Sequence, residues 1–338
     1  MSKEKKTAID KKDTDLVGII GREKMDLLAG IVGESEWRAY RQTYGRASQL
    51  EVLPYPVQLD FELNGSCNLR CLMCPRSAES AVNKGRETWF PFETFKKIID
   101  DGVGKGLRAL NLSYINEPLI RDDLPMFVKY AREKGVCDVY FSTNGLLLTE
   151  KNTRELIEAG LCRIQVSIDA VTPQTYGQIR IGGNFEKVVE NVHMLLRIRE
   201  EMSSVIPLVR VNFVRTEVNR DELEMFAAYW KDKADMIGIQ EMVKVRDGKL
   251  NGPGDKGDDK KRQDFKCSEP FKKLTITNNG LVLPCCALLA EDMPIGDIHT
   301  VDIEELWNNH EMQAMRKLHR EGRYFDHPIC KRCVEDSM

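Results

Sequence analysis

Between Tyr55 and Val243, apolar stretches of strand length alternate with amphipathic stretches of helix length, and this alternation limits the fold more than any other feature. The strand candidates are Val57–Leu63, Ala109–Tyr114, Asp138–Ser142, Arg163–Ile168, Leu208–Val214 and Met236–Val243. Between them, Pro91 opens a helix over Phe92–Val103 whose Phe92, Phe95, Ile98 and Ile99 share one face. Thr149 is placed to cap a helix that closes at Gly160, and Asn184 one that carries Phe185, Val188, Val192, Leu195 and Leu196. Asn219 reads as the cap of another, through Leu223, Phe226 and Trp230. Parallel strands need long crossovers, which these helices supply. An α/β fold follows, with a parallel sheet wrapped into a full or partial barrel. In such folds the chemistry gathers at the carboxyl ends of the strands.

The first of those ends carries Cys67-Asn-Leu-Arg-Cys71-Leu-Met-Cys74, a C-x3-C-x2-C run. Soft thiolates this close select an iron–sulfur cluster or zinc. Three thiolates would leave one iron of a 4Fe–4S cube without a protein ligand. Zinc usually draws four ligands from paired knuckles. Ten cysteines in the chain argue for a reducing compartment and for metal binding over disulfides. With 42% hydrophobic and 30% charged residues and a formal charge of −3, the composition is that of a soluble globular protein. No basic stretch interleaved with aromatics points to nucleic acid. No apolar run reaches the roughly 20 residues of a membrane helix. The charged N-terminus lacks the apolar core of a signal peptide. A cytoplasmic protein, with no nucleic-acid or membrane partner, is expected.

Residues 1 to about 14 are Lys/Asp-rich and read as mobile. From Asp15 to about Leu50 the spacing predicts a helical extension without strands. Leu27, Leu28, Ile31 and Val32 lie on its buried face, followed by Trp37 and Tyr40. Arg246–Arg262, rich in Gly, Pro and charge, reads as a linker. Beyond it, Leu274–Thr277 and Leu281–Leu283, joined by Asn278-Asn279-Gly280, predict a hairpin flanked by Cys267 and Cys285. A helix over Ile303–His319, with Leu306, Trp307 and Met315 inward, precedes Cys330 and Cys333. Four thiolates so arranged suit a second cluster or a zinc ribbon. Cys286 is a substitute for Cys285, a packed thiol or a free thiol near the substrate. Cys137 and Cys162, each just before a strand, are assigned to packing. The expected domains are 1–54, 55–245 (barrel), 246–266 (linker) and 267–338.

The three-cysteine spacing resembles the signature of the radical S-adenosylmethionine (SAM) family, in which SAM chelates the open iron. The resemblance implies a partial (β/α)6 TIM-like barrel, with Cys67, Cys71 and Cys74 holding the cluster and SAM contacts at the strand ends. Tyr114-Ile-Asn116-Glu117-Pro118 is similar to the family's Gly-Gly-Glu-Pro region, with Ile115-Asn116 in place of the glycines, which assigns Asn116 and Glu117 to the methionine ammonium. Ser142, Thr143 and Asn144 resemble the ribose-facing loop. Ser167, Asp169 and Arg180 stand where the family reaches the SAM carboxylate and ribose, and Asn212 is a further candidate. Taken singly, such residues are equally turn formers. The tail resembles SPASM and Twitch extensions through Pro284-Cys-Cys, Ile295-Gly-Asp-Ile298 and Glu304-Glu-Leu-Trp307-Asn308. Because the chain carries no cysteine after Cys333, one auxiliary 4Fe–4S cluster on Cys267, Cys285, Cys330 and Cys333 is implied.

The resemblance also implies the activity. A reducing partner such as flavodoxin or ferredoxin would supply an electron, SAM would be cleaved reductively, and a 5′-deoxyadenosyl radical would abstract hydrogen from substrate. The first expectation is a small polar metabolite (a sugar, aminosugar or cyclitol) that is dehydrogenated or epimerised. Tyr114, Arg215, Glu241 and Lys244 are candidate contacts. The alternatives are a peptide- or protein-modifying maturase, with the N-terminal extension as docking surface, and a non-catalytic iron–sulfur electron-transfer or scaffold protein.

Overall fold

The computed structural model describes residues 17–74, 76, 88–242, 244–246, 249–251 and 265–337. After a first strand, β1 (Val17–Ile20), come the six expected parallel strands: β2 (Gln58–Phe61), β3 (Ala109–Asn111), β4 (Asp138–Thr143), β5 (Arg163–Ser167), β6 (Leu208–Arg215) and β7 (Met236–Glu241). They lie side by side in that order, with Asn111 opposite Tyr140 and Ser167 opposite Asn212. The crossover helices are α2 (Phe92–Lys105), α3 (Leu124–Glu133), α4 (Glu150–Glu158), α5 (Pro173–Ile179), α6 (Phe185–Glu201) and α7 (Leu223–Trp230); α1 (Glu34–Ser48) precedes the barrel. Thr149 closes a capping box on α4, and the Asn184 side chain accepts from Lys187 N on α6. Asn219 departs from expectation. It precedes a short 3-10 turn and makes no cap bond; its amide instead donates to the carbonyls of Asp169 and Val214.

Side chains alternate across a strand, and here the two faces differ sharply. Leu59, Phe61, Val139, Phe141, Ile164, Val166, Val209, Val211 and Phe213 are fully buried beneath the helices. Each contributes roughly 1.5–3 kcal/mol. The opposite face turns Gln58, Asn111, Tyr140, Gln165 and Arg210 into the barrel lumen. A polar lumen inside an apolar shell is the main architectural result.

The N-terminal extension is not purely helical. β1 pairs antiparallel with β7, Val17 opposite Gln240 and Ile20 opposite Ile237. Leu28, Trp37 and Tyr40 are buried as expected, but Leu27 and Ile31 are exposed at 49% and 39%. Residues Arg22–Leu28 form a 3-10 helix with three residues per turn, and Gly33, at φ 108°, breaks the run, so a 3.6-residue face cannot persist. Trp37 and Tyr40 share a satellite core with Cys137 and Cys162, consistent with packing roles for both cysteines.

The tail is welded to the barrel. α8 (Glu269–Lys272) leads into β10 (Lys273–Ile276), which pairs parallel with β2, Leu274 opposite Leu59. β11 (Leu281–Leu283) then closes the expected hairpin, and β12 (Gly296–Asp297) ends a continuous ten-stranded sheet. Without β10, β2 would be an open edge. The expected helix over Ile303–His319 is two helices, α9 (Ile303–Asn308) and α10 (His310–Arg320). Asn309 separates them with extended backbone and caps the second. α11 (Pro328–Ser337) carries the last two cysteines. In the expected linker, β8 (Lys244–Arg246) and β9 (Lys249–Asn251) pair as a ribbon; residues 252–264, like the N-terminal stretch 1–16, lie outside the described residues. Among the described residues no helix is long and apolar enough to cross a membrane.

Candidate active site

The cysteine loop follows β2 and is fastened at three places. Asn64 donates to the Glu117 carbonyl at 3.1 Å and accepts from Ser66 N at 2.9 Å. Cys74 N closes a turn on the Cys71 carbonyl. Arg70 N and Leu72 N then bond the carbonyls of Ile181 and Ile179 at the end of α5. Burial raises the Cys67 thiol to about 11, with Glu117, Cys71 and Cys74 adding to the effect. Burial likewise raises Cys74. Thiols crowded this way become good ligands only when a metal displaces their protons.

Arg180, at the end of α5, points back into this loop. Its Nη1 lies 3.4 Å from Cys71 Sγ and its Nε donates to Asp169 Oδ2 at 2.6 Å. Burial alone would weaken the guanidinium's hold on its proton, but Asp169 and Cys71 overcome this and raise its pKa. Asp169 is fully buried, at φ 66°, and its other oxygen accepts from Val214 N at 2.7 Å. It therefore reaches a ligand only through Arg180.

Glu117 has a comparable role. Oε1 accepts from Thr143 Oγ1 and Leu119 N, and Oε2 from Asn144 N. Burial raises its pKa. The carboxylate ties the loop after β3 to the loop after β4. Asn144 bridges onward, donating to Asn68 of the cysteine loop at 2.7 Å. Asn116 accepts from Tyr114 N, while its Nδ2 is buried without a partner, a donor aimed at nothing in the protein. Ser142 bonds Ser113 and Gln165, and Ser167 stands opposite Asn212, whose oxygen is taken by Arg210. Of the expected residues, Glu117, Asn144 and Arg180 bond the cysteine loop directly, through Asn64, Asn68 and Cys71, and sequence reasoning missed Asn64 and Asn68.

The second set of thiols sits at the opposite end of the strands. Cys267, Cys285, Cys286, Cys330 and Cys333 line one end of a cavity of about 730 Å³ that runs into the lumen past Gln58, Tyr140 and Gln165. β10 is parallel to β2, so the start of β10 lies at the amino end of the barrel. At about 3.3 Å per residue along β2, the two thiol sets are separated by on the order of 15–20 Å. Burial raises Cys285 and Cys267, and burial raises Cys330 to about 12; in each case neighbouring thiols add to the effect. Among the described residues no three Cys, His, Asp or Glu side chains converge on one point as a single ion requires. A cube takes one thiolate per iron at separate corners and does not need such convergence. Cys286 borders the cavity, with Sγ 3.7 Å from Glu269 Oε2. The residue is solvent-exposed. Glu269, despite burial, is held at about 2 by Lys273 and Lys272, and Lys273 also pairs with Asp60.

The expected contacts Arg215 and Glu241 pair with each other at the surface, and Tyr114 donates to the Ala287 carbonyl of the tail. The Lys244 side chain lies outside the described residues. The lumen residues were legible in principle. Gln58, Asp60 and Glu62 put polar groups at every second position of an otherwise apolar strand.

Comparison with known proteins agrees with this geometry. Residues 62–217 match the model of the radical SAM superfamily, and residues 267–334 that of the SPASM iron–sulfur cluster-binding domain. A GTP 3′,8-cyclase of Alkaliphilus oremlandii is 32% identical over 181 residues, 53% of this chain and 54% of that protein. A probable GTP 3′,8-cyclase of Methanococcus maripaludis is 29% identical over 177 residues, 52% of this chain and 56% of that protein. The chain thus spans little more than half the length of these curated relatives. Among solved structures, BtrN in complex with AdoMet and 2-DOIA superposes with a TM-score of 0.53 at 19% identity, over 83% of this chain and 92% of that one. SuiB of Streptococcus suis bound to S-adenosylmethionine superposes with 0.61 at 14% identity, over 82% of this chain and 72% of that one. At these identities the likeness is one of fold.

Proposed function

We propose, starting from a chain that belongs to the radical SAM superfamily and carries a C-terminal SPASM iron–sulfur domain, that it abstracts hydrogen from a small polar metabolite held in the barrel lumen. Dehydrogenation or epimerisation of a sugar, aminosugar or cyclitol is the expected outcome. The observation that carries this reading is the cavity that runs from the tail thiols into the barrel lumen, with Gln58, Tyr140 and Gln165 along its wall. The cavity, about 730 Å³ with the space beside the tail thiols included, falls within the roughly 300–1,000 Å³ of small-molecule sites.

In this reading Cys67, Cys71 and Cys74 hold a 4Fe–4S cluster, and Cys267, Cys285, Cys330 and Cys333 an auxiliary one. SAM on the first cluster supplies, when reduced, a 5′-deoxyadenosyl radical. The protein's part is placement. Arg180, steadied by Asp169, offers the SAM carboxylate the guanidinium protons that Asp169 leaves free. The unpartnered Nδ2 of Asn116 offers a donor to the same ligand. Glu117 keeps the loops of β3 and β4 in register with the cysteine loop. Amide and phenol groups of Gln58, Tyr140 and Gln165 match hydroxyl-rich substrates.

Anaerobically reconstituted protein with SAM and a reductant tests this. 5′-Deoxyadenosine should form faster with the small-metabolite fraction of a cell extract than with its peptide fraction, and Cys71→Ala should abolish it. Stimulation by peptides alone would replace this reading with a maturase. No product in either fraction, indistinguishable from Cys71→Ala, would leave the non-catalytic one.

A further inference from the structure

We infer that the N-terminal extension supplies an anion-binding residue, Arg41, to the substrate chamber, and that the substrate carries a carboxylate or phosphate. The inference rests on reading the lumen as that chamber.

Arg41 lies on α1 and borders the same cavity as the lumen residues. Among the described residues bordering it, six side chains are basic and two are acidic. The inner cations have partners. Arg163 forks onto Asp138 at 2.9 and 2.7 Å, Lys273 pairs with Glu269 at 2.9 Å, and Arg210 donates to Asn212 at 2.7 Å. Arg41 differs. It lies beside the rings of Trp37, Tyr40 and Tyr44, with the guanidinium 5.5–5.8 Å from each centroid, and no carboxylate among the described residues pairs with it.

Half-buried and flanked by rings, this guanidinium loses part of its hydration. An anionic group entering the chamber recovers that loss through a charge-assisted, bidentate bond. The platform is rigid. Tyr40 is buried and donates to Asp138 Oδ2 at 3.3 Å, which ties α1 to the base of β4. Trp37 and Tyr40 also share an apolar core with Val57, Ala109 and Leu208, which seats the extension at the barrel's amino end.

Calorimetry on the cluster-loaded, SAM-bound protein at constant ionic strength tests the assignment without requiring turnover. The probes are inorganic phosphate, glucose 6-phosphate, gluconate and glucose. The inference expects at least one of glucose 6-phosphate and gluconate to bind about tenfold or more tightly than glucose, and whichever does so identifies the anion. Arg41→Gln should remove that preference, Arg41→Lys should restore most of it, and Arg38→Gln, on an exposed pair with Glu34 of the same helix, should leave it intact. Equal binding of charged and neutral probes, or a preference that survives Arg41→Gln, overturns the inference. Failure here is distinguishable from failure of the proposed function. If the metabolites that stimulate 5′-deoxyadenosine formation pass unretained through an anion exchanger, the radical reading stands and the Arg41 assignment falls.

Discussion

Arg180 meets Cys71 because Asp169 holds it there, and Asp169 can do so because it occupies a left-handed backbone position that few residues tolerate. This makes Asp169→Asn an informative substitution. Asn accepts the same backbone and can still bond Val214 N, but it loses the charge that holds the guanidinium. Stability should fall by about 1.5–3 kcal/mol and SAM affinity by about tenfold, measured by chemical denaturation and equilibrium dialysis. Asp169→Ala should cost roughly 1–2 kcal/mol more, for the backbone alone. Glu117 predicts differently. Glu117→Gln places an amide donor opposite Leu119 N and Thr143 or opposite Asn144 N, so it should cost about 1–3 kcal/mol and loosen SAM binding although the volume is unchanged. Wild-type stability and SAM affinity in that variant would mean the loops do not depend on this carboxylate. At this scale the hydrogen-bond partners of the expected residues were not legible in the sequence. Glu117 and Asp169, expected on the ligand, bond Thr143, Asn144, Arg180 and Val214 within the protein.

α5 shows how an element carries such bracing. Glu222, from the segment before α7, accepts from Val171 N at 2.8 Å and from Thr175 Oγ1 at 2.6 Å, holding the start of α5. Its far end bonds the cysteine loop through Ile179 and Ile181. Glu222→Ala, well away from any thiol, should therefore lower the iron retained at the first site and weaken SAM binding, while iron at the tail site stays constant. Separate electron paramagnetic resonance signals of the two clusters would check this, and an equal loss at both sites would count against the strap. α5 went unread in the sequence although Thr172-Pro173 is a serviceable start signal, because the helix is short and contains Gly177. The six barrel strands were legible because their apolar runs fall between capped helices. β1 was not, being four residues long and paired with a strand 220 positions away. The pairing of β10 with β2 was hidden for the same reason, since nothing in Leu274 or Leu59 names the other.

In the whole molecule, the barrel, the tail and the N-terminal extension enclose one chamber and share one sheet. Trp307 donates to the Leu53 carbonyl at 2.7 Å and Arg320 to the Leu50 carbonyl at 3.0 Å, so the tail also grips the extension. A chain ending at residue 266 would expose β2 as an open edge and should aggregate without a cooperative melt. A soluble truncated barrel that still binds SAM would show the halves to be independent. The central claim is that hydrogen leaves a small polar molecule held in the barrel lumen. Its most direct test is to supply the reconstituted enzyme with a metabolite fraction from fully deuterated cells and analyse the 5′-deoxyadenosine by mass spectrometry. The account predicts a deuterated product with that fraction and an unlabelled one with the deuterated peptide fraction. Deuterium arriving from peptides alone, or from neither, would contradict it.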